Sequence, residues 1–375
     1  MESHPAEVIG EIDCVRQKTC LTNEAMKKSC MLTWSVVLVF MSVGWGLTPA
    51  SAAGTGSAAL STHFDGELSG AARAPDEPRS LWYRQPAREW LQALAIGNGR
   101  LSGMVFGGIQ RERIQLNEDT FWSGGPYDPT HAEALEYLPE ARRLTFAGKY
   151  LEACKLIDTK LLARPGGQMS YQPIGDLLLE FPGEARLVQD YRHDLNLDTA
   201  ISSVSFRRGG VGFAREVFVS PVDQVLVMRL QADQRSQISF DATLKTPQNA
   251  QLAAEGNDTL VLRGIGRDYR GIKGALKFDC RVRLVPRGGS ITVQDGNIRV
   301  RNADSALVLL DAATSYKNWR DISGDPGAIT RGHLAKAGRF SFERLKARHV
   351  AEHQRLFRRV KLDLGGKEAG RLPTD

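Results

Sequence analysis

Asn117-Glu118-Asp119-Thr120-Phe121-Trp122-Ser123-Gly124 gathers an amide, two carboxylates, two hydroxyls and an indole where a strand-like segment ends. Carboxylates and amides bind hydroxyl groups, and a tryptophan face covers the apolar face of a sugar ring, so Asn117, Glu118 and Trp122 are candidate saccharide-site residues. The same residue types also cap and close turns, and Trp122 suits a core position equally well. Glu118 and Asp119 do not form an opposed acid pair. Glycoside hydrolysis needs carboxyls roughly 5 to 10 Å apart across the bond, whereas neighbours on a strand point to opposite faces. His193, Asp194 and Asp198 raise metal ligation, but alternation separates the first two, and a surface strand is the better reading. His349 and His353 are four apart at helical spacing, with no H-E-x-x-H and no third ligand, and read as a helix face packing on the body of the protein. No metal and no cofactor is expected, and no G-x-S-x-G elbow supports a hydrolase triad.

Gly97, Gly99 and Gly103 resemble a phosphate loop, yet their spacing is G-x-G-x-x-x-G and an alternating β pattern follows where a dinucleotide site needs a helix N-terminus. The glycines therefore belong to short strands and tight turns from Leu81 to Asn117. Thr130 to Ala163 changes period, with Pro139 in the first turn of a helix, Gly148 closing one, and Tyr150, Ala153, Cys154, Ile157 and Leu161 at helical spacing. Beyond it β signals are dense. Leu177, Leu179 and Phe181 alternate, Val204 and Phe206 are expected to face Val217 and Val219 across a Gly209-Gly210 turn, and Leu276 to Leu284 alternate as a half-buried strand. Ile291 and Val293 pair with Ile298 and Val300 around Asp295-Gly296, and Ala306 to Leu310 reads as a buried strand. From Phe340 a last helix runs to Arg359, carrying Phe342, Leu345, His349, Leu356 and Phe357. The fold class is mainly β: a large antiparallel β-sandwich with a helical insertion and a C-terminal linker helix.

Lys27 and Lys28, the apolar run Met31 to Trp45 and the Ala50-Ser51-Ala52 site compose a secretory signal peptide cleaved before Ala53, with an upstream start assigned ahead of Met26. The run is too short to span a bilayer. The expected organisation is thus 1–52 signal peptide, 53–80 flexible linker, 81–335 sandwich and 336–375 helical linker. The net charge of +6 over 375 residues is dispersed, without the basic stripe that nucleic acid needs. Cys154 and Cys280 are the cysteines left after the leader, too few for a disulfide framework; one long-range bridge between them stays open.

The blocks LWYRQPAREWLQALAIGNGRLSGMVFGG, RIQLNEDTFWSGGP, LPEARRLTFAGKYLEA, YQPIGDLLLEF, REVFVSPVDQVLVMRL and ATSYKNWRDISGDP, in that order, resemble the N-terminal part of glycoside hydrolase family 95, the α-L-fucosidases. The resemblance runs from Leu81 to Asp375. It implies an N-terminal β-sandwich, a helical linker, a six-hairpin α/α barrel and a C-terminal β domain, hydrolysing terminal α-L-fucosyl linkages, or α-L-galactosyl ones in some members, with inversion and no redox cofactor. In that family a Glu general acid and a water activated by Asp with Asn assistance sit in the barrel. No residue here matches them, so no catalytic residue is assigned and the chain is expected to be inactive alone. Fucosylated glycans are the implied partners, bound through the barrel, with no nucleic acid and no membrane after signal removal. Asn117, Glu118 and Trp122 lie in the hallmark block and are expected at a pocket rim or a domain contact. A free-standing carbohydrate-binding sandwich is the alternative.

Overall fold

Strict alternation shapes the strands that bury one face. Arg111–Glu118 and Ile238–Lys245 place every second side chain inside, with Ile114, Leu116, Phe240, Ala242 and Leu244 all buried. The computed structural model describes residues 62, 64–183, 187–363, 365 and 372–374. The expected signal peptide, 1–52, lies outside the described residues.

In chain order the strands are β1 (Glu67–Ser69), β2 (Ser80–Tyr83), β3 (Leu94–Gly97), β4 (Leu101–Val105), β5 (Arg111–Glu118), β6 (Gly175–Glu180), β7 (Leu187–Asn196), β8 (Ile201–Arg208) and β9 (Val211–Val219). They continue as β10 (Leu226–Ala232), β11 (Ile238–Lys245), β12 (Asn249–Glu255), β13 (Thr259–Ile265), β14 (Lys277–Arg287), β15 (Ser290–Gln294), β16 (Asn297–Ala303) and β17 (Ser305–Thr314). Among the described residues one sheet of ten strands runs β12-β13-β14-β17-β10-β9-β8-β7, with β1 and β2 both on the outer edge of β7. A second sheet of seven runs β15-β16-β11-β6-β5-β4-β3. Their inner faces interdigitate in one core, where Leu116, Leu177, Phe240 and Val300 meet Met228, Leu262, Val282 and Leu310. The mainly β sandwich is therefore the architecture.

The Asp295-Gly296 hairpin has the expected register, Ile291 opposite Val300 and Val293 opposite Ile298, on a turn with both central φ positive. The Gly209-Gly210 hairpin forms too, with a different register. A two-residue turn sets Val204 opposite Arg215 and Phe206 opposite Phe213, so neither meets Val217 or Val219 directly.

Helices α1 (Ala134–Phe146) and α2 (Tyr150–Leu156) form the insertion. Pro139 sits inside α1 rather than in its first turn, where its missing N–H removes one helical bond. Gly148, at φ +73°, closes the helix by donating to the Thr145 carbonyl at 3.1 Å. α3 (Pro326–Ala337) is an element the periodicity did not announce. Its signal was Asp325-Pro326: the Asp325 carboxylate caps the Ala328 N–H at 2.9 Å and Pro326 opens the first turn. α4 (Phe342–Phe357) follows, capped by Ser341.

α3 and α4 lie on the outer face of the larger sheet, in the same compact unit as the strands rather than apart from them. Leu334, Ala337, Phe342 and Leu345 cover Phe218, Val227 and Leu309 there. The cover explains why β14, expected to be half-buried, buries both faces: Asp279 and Arg281 pair beneath α3, with Thr330 donating to Asp279 at 2.6 Å. α4 carries the two histidines as a packing face. His349 stacks on Phe218 at 4.6 Å with Nε2 2.9 Å from the Thr199 carbonyl, and His353 Nε2 lies 2.9 Å from that of Leu197.

Where it is described, the expected linker contributes β1 and the start of β2. Phe64 joins Ile109, Val188 and Tyr191 in a small cluster, and β1 and β2 use the unpaired edge of β7, which supplies backbone partners to a segment poor in apolar side chains. His193 and Asp194 are not on a surface strand. His193 is buried beside Ser202, its Nε2 3.1 Å from the hydroxyl, and burial lowers its pKa to about 3. Asp194, on the other face, is buried too, paired with Arg192 at 2.8 Å. Asp198 accepts from Gln354 and Arg358 of the C-terminal helix and its end, at 2.8 and 2.6 Å.

Candidate functional site

β5 ends in a turn that sends consecutive side chains in different directions. The Phe121 N–H returns to the Glu118 carbonyl at 3.1 Å, and the Phe121 ring enters the core against Phe278, with centroids 4.9 Å apart. Trp122 faces outwards and is half-buried. Its Nε1 donates to the Asp119 carbonyl at 3.0 Å, and its ring meets the edge of Tyr171 at 5.2 Å. Ser123 and Gly124 are then stitched to two other loops, through Ser123 N to Ser170 O at 2.8 Å and Gly124 N to Arg267 O at 2.9 Å. Gly124 is at φ +72°, and a Cβ there would press on Met169 and Ile272 at 3.1 Å, so the approach requires glycine.

Opposite this segment stands the loop after β17. Lys317 and Asn318 donate backbone N–H groups to the Asp321 carbonyl at 2.9 and 3.1 Å, which holds Tyr316 and Trp319 outwards. The Arg320 guanidinium lies over the Trp319 ring at 4.1 Å. Between the two segments opens a cleft of about 340 Å³, walled by Trp122, Tyr127, Tyr316 and Trp319, floored by Met169 and Leu276, with Thr120, Ser123 and Asn318 as polar lining residues. No carboxylate, lysine, arginine or histidine lines it among the described residues. The arrangement can bind a neutral ring; it cannot by itself supply an acid and a base.

The three candidate residues do not converge on one point. Trp122 is in the cleft wall. Glu118 lies behind Thr120, buried, with Oε2 accepting from the Thr120 N–H at 2.9 Å and hydroxyl at 2.6 Å; that hydroxyl also contacts the Thr314 hydroxyl. Asn117 is half-buried on the opposite face of β5, in register with Ser102 of β4. Tyr316, Trp319 and Tyr127 were missed as site residues. For Tyr316 and Trp319 the signal was Y-x-x-W shortly after a buried strand, a pair of large aromatics in a connecting segment; Tyr127 has none.

Burial pushes the Glu118 carboxyl up to about 7, helped by the Asp119 charge and opposed by the two bonds from Thr120. Arg100 neutralises it weakly, at 3.8 Å, because its guanidinium is committed to Asp311 at 2.6 Å. Below the ordinary value of 4.5 the carboxyl is protonated folded and unfolded alike. As pH rises to about 7 the unfolded chain sheds a proton that the folded chain keeps, so stability falls through that window. The expected loss between pH 5 and pH 8 is on the order of 3 kcal/mol, and Glu118→Gln, which keeps an acceptor for Thr120, should flatten it. Urea unfolding at the two pH values reads the slope; an equal slope in the variant would refute the assignment.

The family model described as "Glycosyl hydrolase family 65, N-terminal domain" matches residues 81–319. "Alpha-L-fucosidase 2" of Arabidopsis thaliana is 33% identical over 320 residues, covering 77% of this chain and 37% of the relative. "Probable alpha-fucosidase A" of Aspergillus niger is 27% identical over 305 residues, and its namesake in Aspergillus oryzae 23% over 307, covering 38% and 41% of those proteins. The chain thus spans well under half the length of each of these relatives. With a matched stretch that runs from β2 to Trp319 and takes in both walls of the cleft, the chain belongs to the glycosyl hydrolase family 65 N-terminal domain family.

Proposed function

We propose that this chain is the N-terminal β-sandwich of a secreted, inverting α-L-fucosidase of the family 95 type, acting on fucosylated glycans. Its part is to scaffold the enzyme and to present the segment carrying Asn117, Glu118 and Trp122 at the rim of the site or at its contact with a barrel domain. The observation that carries this division of labour is the chemistry of the cleft. Inversion requires two carboxyls roughly 6.5 to 9.5 Å apart around a water, whereas no carboxylate lines the cleft among the described residues, and Glu118 is buried behind Thr120. The acid and base then belong to the further length that the relatives possess. The leader ending at Ala52 supports secretion.

The expected result is that this chain, purified and folded, releases no fucose from a fucosylated lactose above a vector control. The same sandwich within a chain of the relatives' length releases fucose, and proton NMR shows it first as the inverted β anomer. Release by this chain alone overturns the division of labour, and a retained anomer overturns the mechanism. Cleavage of α-L-galactosides in preference would move the substrate to that sugar.

A further inference from the structure

We infer that the cleft between Trp122 and Trp319 is itself a saccharide-binding subsite, taking an uncharged sugar unit of the glycan; the choice of glycan rests on the fucosidase reading. Its size is at the lower end for small-ligand sites, about 340 Å³ against roughly 300 to 1,000 Å³, which suits one or two pyranose rings and not a docked helix. Its walls are aromatic and its polar lining groups are neutral, the hydroxyls of Thr120, Ser123, Tyr127 and Tyr316 and the Asn318 amide, which match sugar hydroxyls; the nearby Arg320 guanidinium lies over the Trp319 ring and is not part of the lining.

The site is held ready. Trp122 is fixed by its bond to the Asp119 carbonyl and by the Tyr171 edge, and the Thr120 hydroxyl is oriented by Glu118 and Thr314. Trp319 is 65% and Tyr316 42% exposed, large apolar surfaces that a C–H face of a sugar would cover. The ring of Trp319 is steadied by Arg320 and by the 318–321 turn, so binding orders little.

The test is titration of the whole chain with 2′-fucosyllactose, followed by tryptophan fluorescence and calorimetry, beside lactose and a hexuronate disaccharide. Saturable binding of the neutral sugars, tighter than that of the uronate, is expected. Trp319→Ala should weaken it about tenfold or more, Trp319→Phe should recover much of that loss, and Trp90→Ala, at an exposed tryptophan outside the cleft, should leave it unchanged. Circular dichroism confirms that the variants fold. The inference is overturned by no saturable signal at concentrations on the order of 10 mM, by undiminished binding in Trp319→Ala, or by a cleft that instead drives self-association abolished in that variant. The two readings separate cleanly. Fucose release by the longer enzyme with no binding here sinks only the subsite, and equal binding of unfucosylated sugars without any fucose release sinks only the fucosidase.

Discussion

Phe121→Ala is expected to destabilise the protein by about 3 to 5 kcal/mol, and Trp122→Ala, its neighbour, by about 1 kcal/mol or less. Phe121 is fully buried, its ring tilted against that of Phe278, and is held there by the turn that closes β5. Its removal leaves a cavity between two sheets whose backbones are pinned by hydrogen-bonded ladders and relax little. Trp122 has a comparable mass of apolar surface but one side open to the cleft, so the unfolded and folded states differ less in what its ring touches. What it loses is an edge contact with Tyr171 and one bond to a carbonyl. Urea unfolding midpoints of the two variants distinguish the roles. Equal losses would make Trp122 a core residue and remove the cleft wall from any function.

Arg215→Ala should cost a similar 3 to 5 kcal/mol, because it strands a buried charge. The guanidinium, buried between Phe181 at 4.3 Å and Phe206 at 5.6 Å, donates to Glu112 at 2.7 Å and to the Gly108 carbonyl at 2.6 Å. Glu112 is wholly buried, and burial raises its pKa even with Arg215 beside it. Without the arginine its carboxyl would rise further. The charge part of the deficit should therefore be greatest at alkaline pH and shrink as pH falls towards the ordinary carboxylate value, where Glu112 is protonated in both states. Glu112→Gln combined with Arg215→Met removes both charges at similar volume and should recover most of the loss. Chemical denaturation of the single and double variants at pH 5 and pH 8 checks this. A double variant no better than Arg215→Ala would show that packing, not the uncompensated charge, sets the cost.

The expectations that fared worst share a feature: each inferred exposure from a single strand's own pattern. β14 reads as half-buried from Lys277, Asp279, Arg281 and Arg283, yet Asp279 and Arg281 are covered by α3, which arrives from residues far along the chain. β7 likewise reads as a surface strand at His193 and Asp194, and both side chains are buried. A charged residue under a helix and one facing water look alike in sequence, since the arginine that pairs with a carboxylate gives no periodic signal of its own.

The sequence by itself determined the local elements and their kind. Alternation marked the strands, Asp295-Gly296 set a hairpin register, helical spacing placed α4, and the resemblance of the quoted blocks, Arg113 to Pro126 among them, reached the family. Those signals are local because side-chain period and turn dihedrals depend on neighbours in the chain. Which face of each strand is covered, and which loops meet, was decided only in three dimensions. Tyr316 and Trp319 stand almost two hundred residues beyond Trp122, and they became one cleft because β17 lies within the larger sheet while β5 lies in the smaller one, so the sandwich brings their C-terminal ends to the same end of the core. Packing two sheets is a long-range event, and no spacing within either segment records it.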